Sequence, residues 1–185
     1  MDAISLMMEE HKNIKRVLKV IRKLCIKILN KEEIELDVFN KIIDFVKNYA
    51  DKHHHNKEEE VLFKKISEEL GEKIKNGPIY GMLAEHDMGR LYILNLESAL
   101  EKVRKGDEDS KVDIIANAIS YTDLLNRHID KEDNAIYKFG EKNLSKEAII
   151  EVEEKCREIE KSAANRDIQN KYMKIIEELE EISKY

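Results

Sequence analysis

Apolar residues recur along this chain at intervals of three and four. Met7, Ile14, Leu18, Ile21, Cys25 and Ile28 form one such seam, the spacing that gathers side chains on one face of an α-helix, and a helix is predicted over about 4–29. A polar break follows over Asn30–Glu35. Leu36, Phe39, Ile43, Val46 and Ala50 resume the pattern and Val61, Leu62 and Ile66 continue it, so a second helix is expected over about 36–66. Gly71 and the Asn76-Gly77-Pro78 group are stop and turn signals, with Pro78 suited to the first turn of a third helix. That helix carries Ile79, Met82, Gly89, Ile93, Leu96, Leu100 and Val103, and Gly106 is placed to cap its end. Ile114, Ala118, Tyr121, Leu125, Ala135 and Phe139 form a fourth seam that closes at Gly140. Beyond it, Ser145 opens a weaker helix, with Ala148 where a capping box would have Glu or Gln, and 168–182 holds another.

Four long amphipathic helices with short links require an all-α fold. The expected architecture is an up-down-up-down four-helix bundle over 1–143, with 144–185 as a C-terminal helical extension packed on the same domain. Composition agrees, since six Gly and one Pro among 185 residues leave an all-β chain too few turn residues. At 42% hydrophobic and 39% charged residues the chain is neither a membrane protein nor disordered. A net charge of −6 offers no positive field for nucleic acid or an anionic lipid surface. Cys25 and Cys156 form neither a disulfide framework nor a CxxC pair. No basic n-region precedes an apolar h-region at the start, and no run of 18 apolar residues occurs. A cytoplasmic protein is expected.

Each seam lacks one apolar residue, and histidine stands in the gap. His11 fills it in the first helix, His86 in the third, and His128 together with Glu132 in the fourth. In the second helix, counting about 100° per residue from Ala50, His54 lies about 40° and Glu58 about 80° away. Residue counts put all of these at one height: about 18 residues separate His11 from the end of its helix, and about 18 separate His54 from the start of the next. His86 and His128 match in the same way. An internal repeat agrees: His54-x-x-Lys57-Glu58-Glu59-x-Val61-Leu62-Phe63 aligns with His128-x-x-Lys131-Glu132-Asp133-x-Ala135-Ile136-Tyr137, and Glu10-His11 with Glu85-His86.

One histidine at a core position is ordinarily a satisfied polar residue. Four histidines and two glutamates at one level are different, because uncompensated buried carboxylates cost several kcal/mol each and a cation removes that cost. His at i and Glu at i+4 share a helix face, and imidazole with carboxylate suits iron, manganese or zinc. If Glu58 and Glu132 both bridge, two ions fit better than one and open positions remain for a small ligand.

These segments, Glu10-His11, His54-His55-Asn56-Lys57-Glu58-Glu59, Glu85-His86-Asp87 and His128-Ile129-Asp130-Lys131-Glu132-Asp133, resemble the hemerythrin family, specifically the bacterial hemerythrin-like HHE cation-binding proteins, over about 4–140. The resemblance implies a non-haem di-iron centre, two oxo- or hydroxo-bridged iron ions, with His11, His54, His86 and His128 as terminal ligands and Glu58 and Glu132 as bridges. Zinc or manganese are the alternative metals. Oxygen-carrying members place two histidines four apart on the third helix, whereas Met82 and Arg90 flank His86 here. His55 is the candidate for the missing ligand, although at about 100° per residue it points about 140° from Ala50; His53 is a weaker one. The implied function is handling of dioxygen, nitric oxide or peroxide by sensing, storage or detoxification. A small diatomic or peroxide ligand is the expected partner, with no nucleic acid or membrane, in a monomer or homodimer.

Two other readings are an interaction module stapled by its metal and an iron donor for iron–sulfur cluster repair. Repair relatives carry a further cysteine-bearing N-terminal domain, and this chain begins at its first helix. A ferritin-like oxidase predicts Glu-x-x-His, whereas His-x-x-x-Glu is present. Tyr49 and Tyr121 are expected to pack in the core, Gly89 to let helices approach, Cys25 to be inert, and Lys57 and Lys131 to lie on an outer face.

Overall fold

The computed structural model describes residues 2–32, 36–165 and 167–184. Residues 33–35 of the polar break lie outside them. The described residues form six helices: α1 (Ala3–Leu29), α2 (37–70), α3 (72–104), α4 (111–143), α5 (Lys146–Asn165) and α6 (Ile168–Ile182), and no strand is found among them.

Local chemistry sets the ends. The Asp2 carboxylate accepts from the Ser5 backbone N–H at 2.7 Å and starts α1. Gly71, at φ +85°, turns the chain between α2 and α3 in a conformation that side-chain-bearing residues avoid. Gly106, at φ +95°, ends α3, and the next N–H, that of Asp107, returns to the Lys102 carbonyl at 3.1 Å. Ser145 caps α5 through Ala148 N–H at 3.1 Å. The glutamate missing from its capping box is supplied by another helix, because Glu69 of α2 accepts from the Ser145 N–H at 3.0 Å.

Two expectations are corrected. Pro78 is not in a first turn: α3 already begins at 72, and the proline lies in a widened turn, Lys75–Ile79. Proline has no backbone N–H and so interrupts the regular i to i−4 ladder where that turn occurs. Gly140 does not close α4, which runs on to Asn143. A Cβ at Gly140 would come within 3.0 Å of Ile66 Cδ1, so this glycine lets α4 lie close to α2.

The apolar core is in two parts. One contains Ile14 and Leu18 of α1, Tyr49 and Ala50 of α2, Ile93 of α3, and Leu125 and Ile129 of α4. The other contains Met7, Val61, Met82 and Tyr137 from the same four helices. In α1 the polar position His11 falls between Met7 and Ile14, in α2 His54 and Glu58 fall between Ala50 and Val61, in α3 His86 falls between Met82 and Ile93, and in α4 Glu132 falls between Ile129 and Tyr137. The polar groups therefore form one layer between two dry ones. The last two helices join this core: Tyr172, Ile176 and Leu179 of α6 enter the first part and Ala148, Val152 and Cys156 of α5 the second. Each large side chain so buried contributes about 2 kcal/mol.

Candidate metal centre

The backbone around the polar layer departs from regular α-helix. Val46–His55 and Glu58–Leu62 of α2, and Glu132–Ile136 of α4, have turns widened by one residue. Hydrogen bonds from i to i+5 bring residues five apart into line. Ala50 and His55 are such a pair, which is why a uniform 3.6-residue count turns His55 away and the structure turns it in. Its ring stacks on that of His86 with centroids 3.8 Å apart and planes within 10°.

All seven candidate residues meet in the layer. His11, His54, His55, His86, His128, Glu58 and Glu132 are buried. The Glu132 carboxylate lies 2.9 Å from His128 Nε2, 3.4 Å from His11 Nε2 and 3.8 Å from His86 Nε2. Glu58 lies 3.5 Å from His86 Nε2, 3.6 Å from His54 Nε2 and 3.9 Å from His11 Nε2. Ligand atoms of His55, Glu58, His86 and His128 form one mutually close group, and those of His11, His54 and Glu58 another. Glu58 belongs to both.

Each ring is held from behind by a carboxylate. His11 Nδ1 faces Asp133 at 2.7 Å, His54 Nδ1 faces Glu10 at 2.8 Å, His86 Nδ1 faces Glu59 at 2.7 Å and His128 Nδ1 faces Glu85 at 2.8 Å. Ionised carboxylates only accept, so each Nδ1 donates and each Nε2 is left for the centre. The Glu-His dipeptides thus work across helices, with Glu10 beside His11 orienting His54 and Glu85 beside His86 orienting His128. His55 differs, being held by Asp51 of its own helix at 3.3 Å. Arg90 bonds both Asp51 and Glu59, at 2.7 and 2.6 Å, and so secures the carboxylates behind His55 and His86.

The two repeats are not equivalent. His55 corresponds to Ile129. Phe63 corresponds to Tyr137, and each ring lies beside a histidine, Phe63 against His86 with centroids 6.1 Å apart and Tyr137 against His11 with centroids 5.5 Å apart. Only Tyr137 has a hydroxyl, which donates to Glu58. Tyr137 was missed by periodicity; the Phe/Tyr mismatch in the aligned repeat was its signal. Lys57 was also misplaced. It is fully buried, not on an outer face, and its ammonium bonds Glu10 and Glu160, with His53 Nε2 at 3.1 Å. His53 therefore belongs to this ammonium pocket. Lys131 does lie outside, paired with Glu85. Tyr49 packs on Phe45, with centroids 4.9 Å apart, and Cys25 is a buried thiol whose pKa burial pushes up to about 11.

The charges of the layer fit a cation. Glu58 Oε2 and both Glu132 oxygens are buried with no hydrogen-bond partner, a costly state for acceptors aimed at imidazoles. Without a cation, protons take its place. Burial, then the neighbouring charge of Glu132, raises the Glu58 carboxyl well above its usual range. Burial opposes charge at His86 and His11, yet the carboxylates around them win: Glu132 and Glu59 raise His86 to about 10, and Asp133 and Glu132 raise His11 to about 8. Burial and the neighbouring His11 lower His54 to about 3, and burial and His86 lower His55 to about 4.

Below about pH 8 His11 and His86 each hold a proton that a cation must expel, so metal uptake at pH 7 is expected to release about two protons, and any proton that the raised Glu58 carboxyl retains adds to them. Affinity therefore rises with pH, and the release falls once His11 has titrated. Calorimetry in buffers of different ionisation enthalpy measures it, and uptake without proton release would contradict the arrangement.

A family model described as hemerythrin HHE cation binding domain matches residues 2–139. No curated protein and no solved structure matches the chain.

Proposed function

Because the chain belongs to the hemerythrin HHE cation-binding family and is thereby a metal-binding helical protein, we propose that it is a non-haem di-iron protein that handles dioxygen, nitric oxide or peroxide by sensing, storage or detoxification. The observation that carries this reading is the set of partnerless carboxylate oxygens of Glu58 and Glu132 facing imidazoles from four helices. In it, His11 and His54 would hold one ion and His55, His86 and His128 the other, with Glu58 and Glu132 as the carboxylates available to both. His55 then replaces the nitrogen that Met82 and Arg90 do not provide.

The up-down-up-down bundle over 1–143, with 144–185 on the same domain, is part of this reading. It is supported by the order in which the helices meet the two apolar layers: α1 and α3 pass from the Met7 layer to the Ile14 layer, and α2 and α4 pass the other way.

Two irons held there would supply redox chemistry and an open coordination position. The protein's own groups prepare the place. The outer carboxylates fix the tautomer and direction of each imidazole, the apolar layers on either side exclude water, and Tyr137 holds one oxygen of Glu58 by its O–H. Metal analysis and an absorption spectrum of aerobically purified protein test the proposal. Two irons per chain with an oxo-bridge band in the near ultraviolet are expected. A single colourless zinc would replace the reading with that of a metal-stapled interaction module.

A further inference from the structure

Glu10 turns its two oxygens to different tasks. Oε2 faces His54 Nδ1 at 2.8 Å, whereas Oε1 takes the Lys57 ammonium and lies 3.0 Å from His53 Nε2. The ammonium is shared with Glu160 of α5. Gln169 of α6 donates to Glu160 at 3.3 Å and stands 3.2 Å from His53 Nε2. A continuous path of polar contacts therefore runs from the last two helices, through Lys57 and Glu10, to the back of one imidazole in the layer. Both helices lie beyond residue 139, where the match to the family domain ends.

Burial decides what this path transmits. Arg90 and Lys131 hold the carboxylates behind His55, His86 and His128, and they are 38% and 48% exposed, so water screens what happens beyond them. Lys57 is fully buried and Glu10 is 2% exposed, and charges there are screened far less. Glu160 draws the ammonium partly away from Glu10, which leaves more of the Glu10 charge for the His54 N–H. A carboxylate behind a ligating imidazole raises the basicity of that ligand. Without the Glu160 charge the ammonium would act on Glu10 alone, and the surroundings of His54 would become more positive by one unit. Both effects disfavour a cation at His54.

We propose that Glu160 and Gln169 are positioning residues for the His11 and His54 half of the centre, so that the C-terminal helices set how tightly that half, and not the half with His55, His86 and His128, holds its cation. The inference rests on the di-iron reading for there being two ions to tell apart; the link from α5 to His54 is made by the chain without metal.

Two measurements on the full chain test it. In metal-free protein, proton NMR of the ring N–H groups should show the His54 Nδ1–H resonance moved upfield in Glu160→Gln, because its bond to Glu10 is weaker, with that of His128 unmoved. In cobalt(II) titrations of metal-free protein, Glu160→Gln should weaken one of two ions by about tenfold, the lower end of what losing an outer partner costs, and leave the other within about twofold. Gln169→Ala should weaken the same ion by less. Glu10→Gln should weaken it more, and adding Glu160→Gln to that variant should cost less than it does in the wild type, since His54 is then already cut off from the path. Glu85→Gln should weaken the other ion. Glu151→Gln breaks a contact of α5 with Lys65 of α2 that does not lead to the layer, and should change neither affinity; it separates positioning from the mere docking of α5. An unmoved His54 resonance, equal weakening of both ions by Glu160→Gln, or the same loss in Glu151→Gln would overturn the proposal. A wild type that takes up a single ion, with the His54 resonance still shifted in Glu160→Gln, would instead uphold the link and overturn the di-iron reading.

Discussion

Glu132→Ala is expected to leave the chain with at most one cation and a much lower melting temperature. Its carboxylate approaches histidines of α1, α3 and α4, at 3.4, 3.8 and 2.9 Å, and so spans both halves of the layer. Burial alone would oppose its charge, but His128, His11 and His86 hold its pKa well below the usual range. Removing it takes a shared ligand from two ions and leaves those imidazoles facing a void. A ligand present at 1,000 times its dissociation constant contributes about 4 kcal/mol to stability, and at about 2–4 °C per kcal/mol for a chain of this length the loss is roughly 8–16 °C. Metal analysis and calorimetric melting of the purified variant measure both effects. His55→Ala provides a graded comparison: as a terminal ligand to one ion it should weaken a single site and leave the other occupied. Full occupancy by two ions in Glu132→Ala would remove the bridging role.

The residues of this layer were legible in the sequence because burial makes a histidine conspicuous in an apolar seam. Helical spacing and the repeat were enough to bring His11, His54, His86, His128, Glu58 and Glu132 to one height, and the structure groups the four histidines with Glu58 there and places Glu132 within 3.8 Å of His11, His86 and His128. The remainder was hidden by the assumption of a uniform helix. Widened turns in α2 change the facing of every residue after about Val46, so His55 moved from flank to centre by a local choice that no 3.6-residue count can register. Other losses came from contacts distant in sequence. Gly140 reads as a helix stop until Ile66 is placed against it, and Ser145 reads as half a capping box until Glu69 is placed beside it. Tyr137 is a different case, since the aligned repeat displayed it opposite Phe63 and only the meaning of the added hydroxyl was missing.

Lys57 and Lys131 occupy the same position in the repeat, three residues after a histidine and one before a glutamate, and their removal is expected to have opposite consequences. Each bonds the glutamate that orients the histidine three residues before it, Glu10 for Lys57 and Glu85 for Lys131. What separates them is α5. Glu160 from that helix closes over Lys57 and leaves it fully buried, whereas nothing equivalent covers Lys131, which is 48% exposed. Lys57→Ala strips the ammonium from a pocket that holds Glu10, Glu160 and His53, and breaking a buried pair in this way costs about 3–5 kcal/mol. At about 2–4 °C per kcal/mol that is roughly 6–20 °C of melting temperature. Lys131→Ala gives up a solvent-screened pair and should cost about 1 kcal/mol or less. Glu160→Gln, combined with Lys57→Met, should destabilise by less than the sum of the two single changes, because the double variant leaves one carboxylate in the pocket, the buried Glu10, in place of two. Urea unfolding of Lys57→Ala, Lys131→Ala, Lys57→Met, Glu160→Gln and the double variant measures these differences. Equal small losses for Lys57→Ala and Lys131→Ala would mean that α5 does not seal the first repeat, and that the burial of Glu10 behind His54 has some other cause.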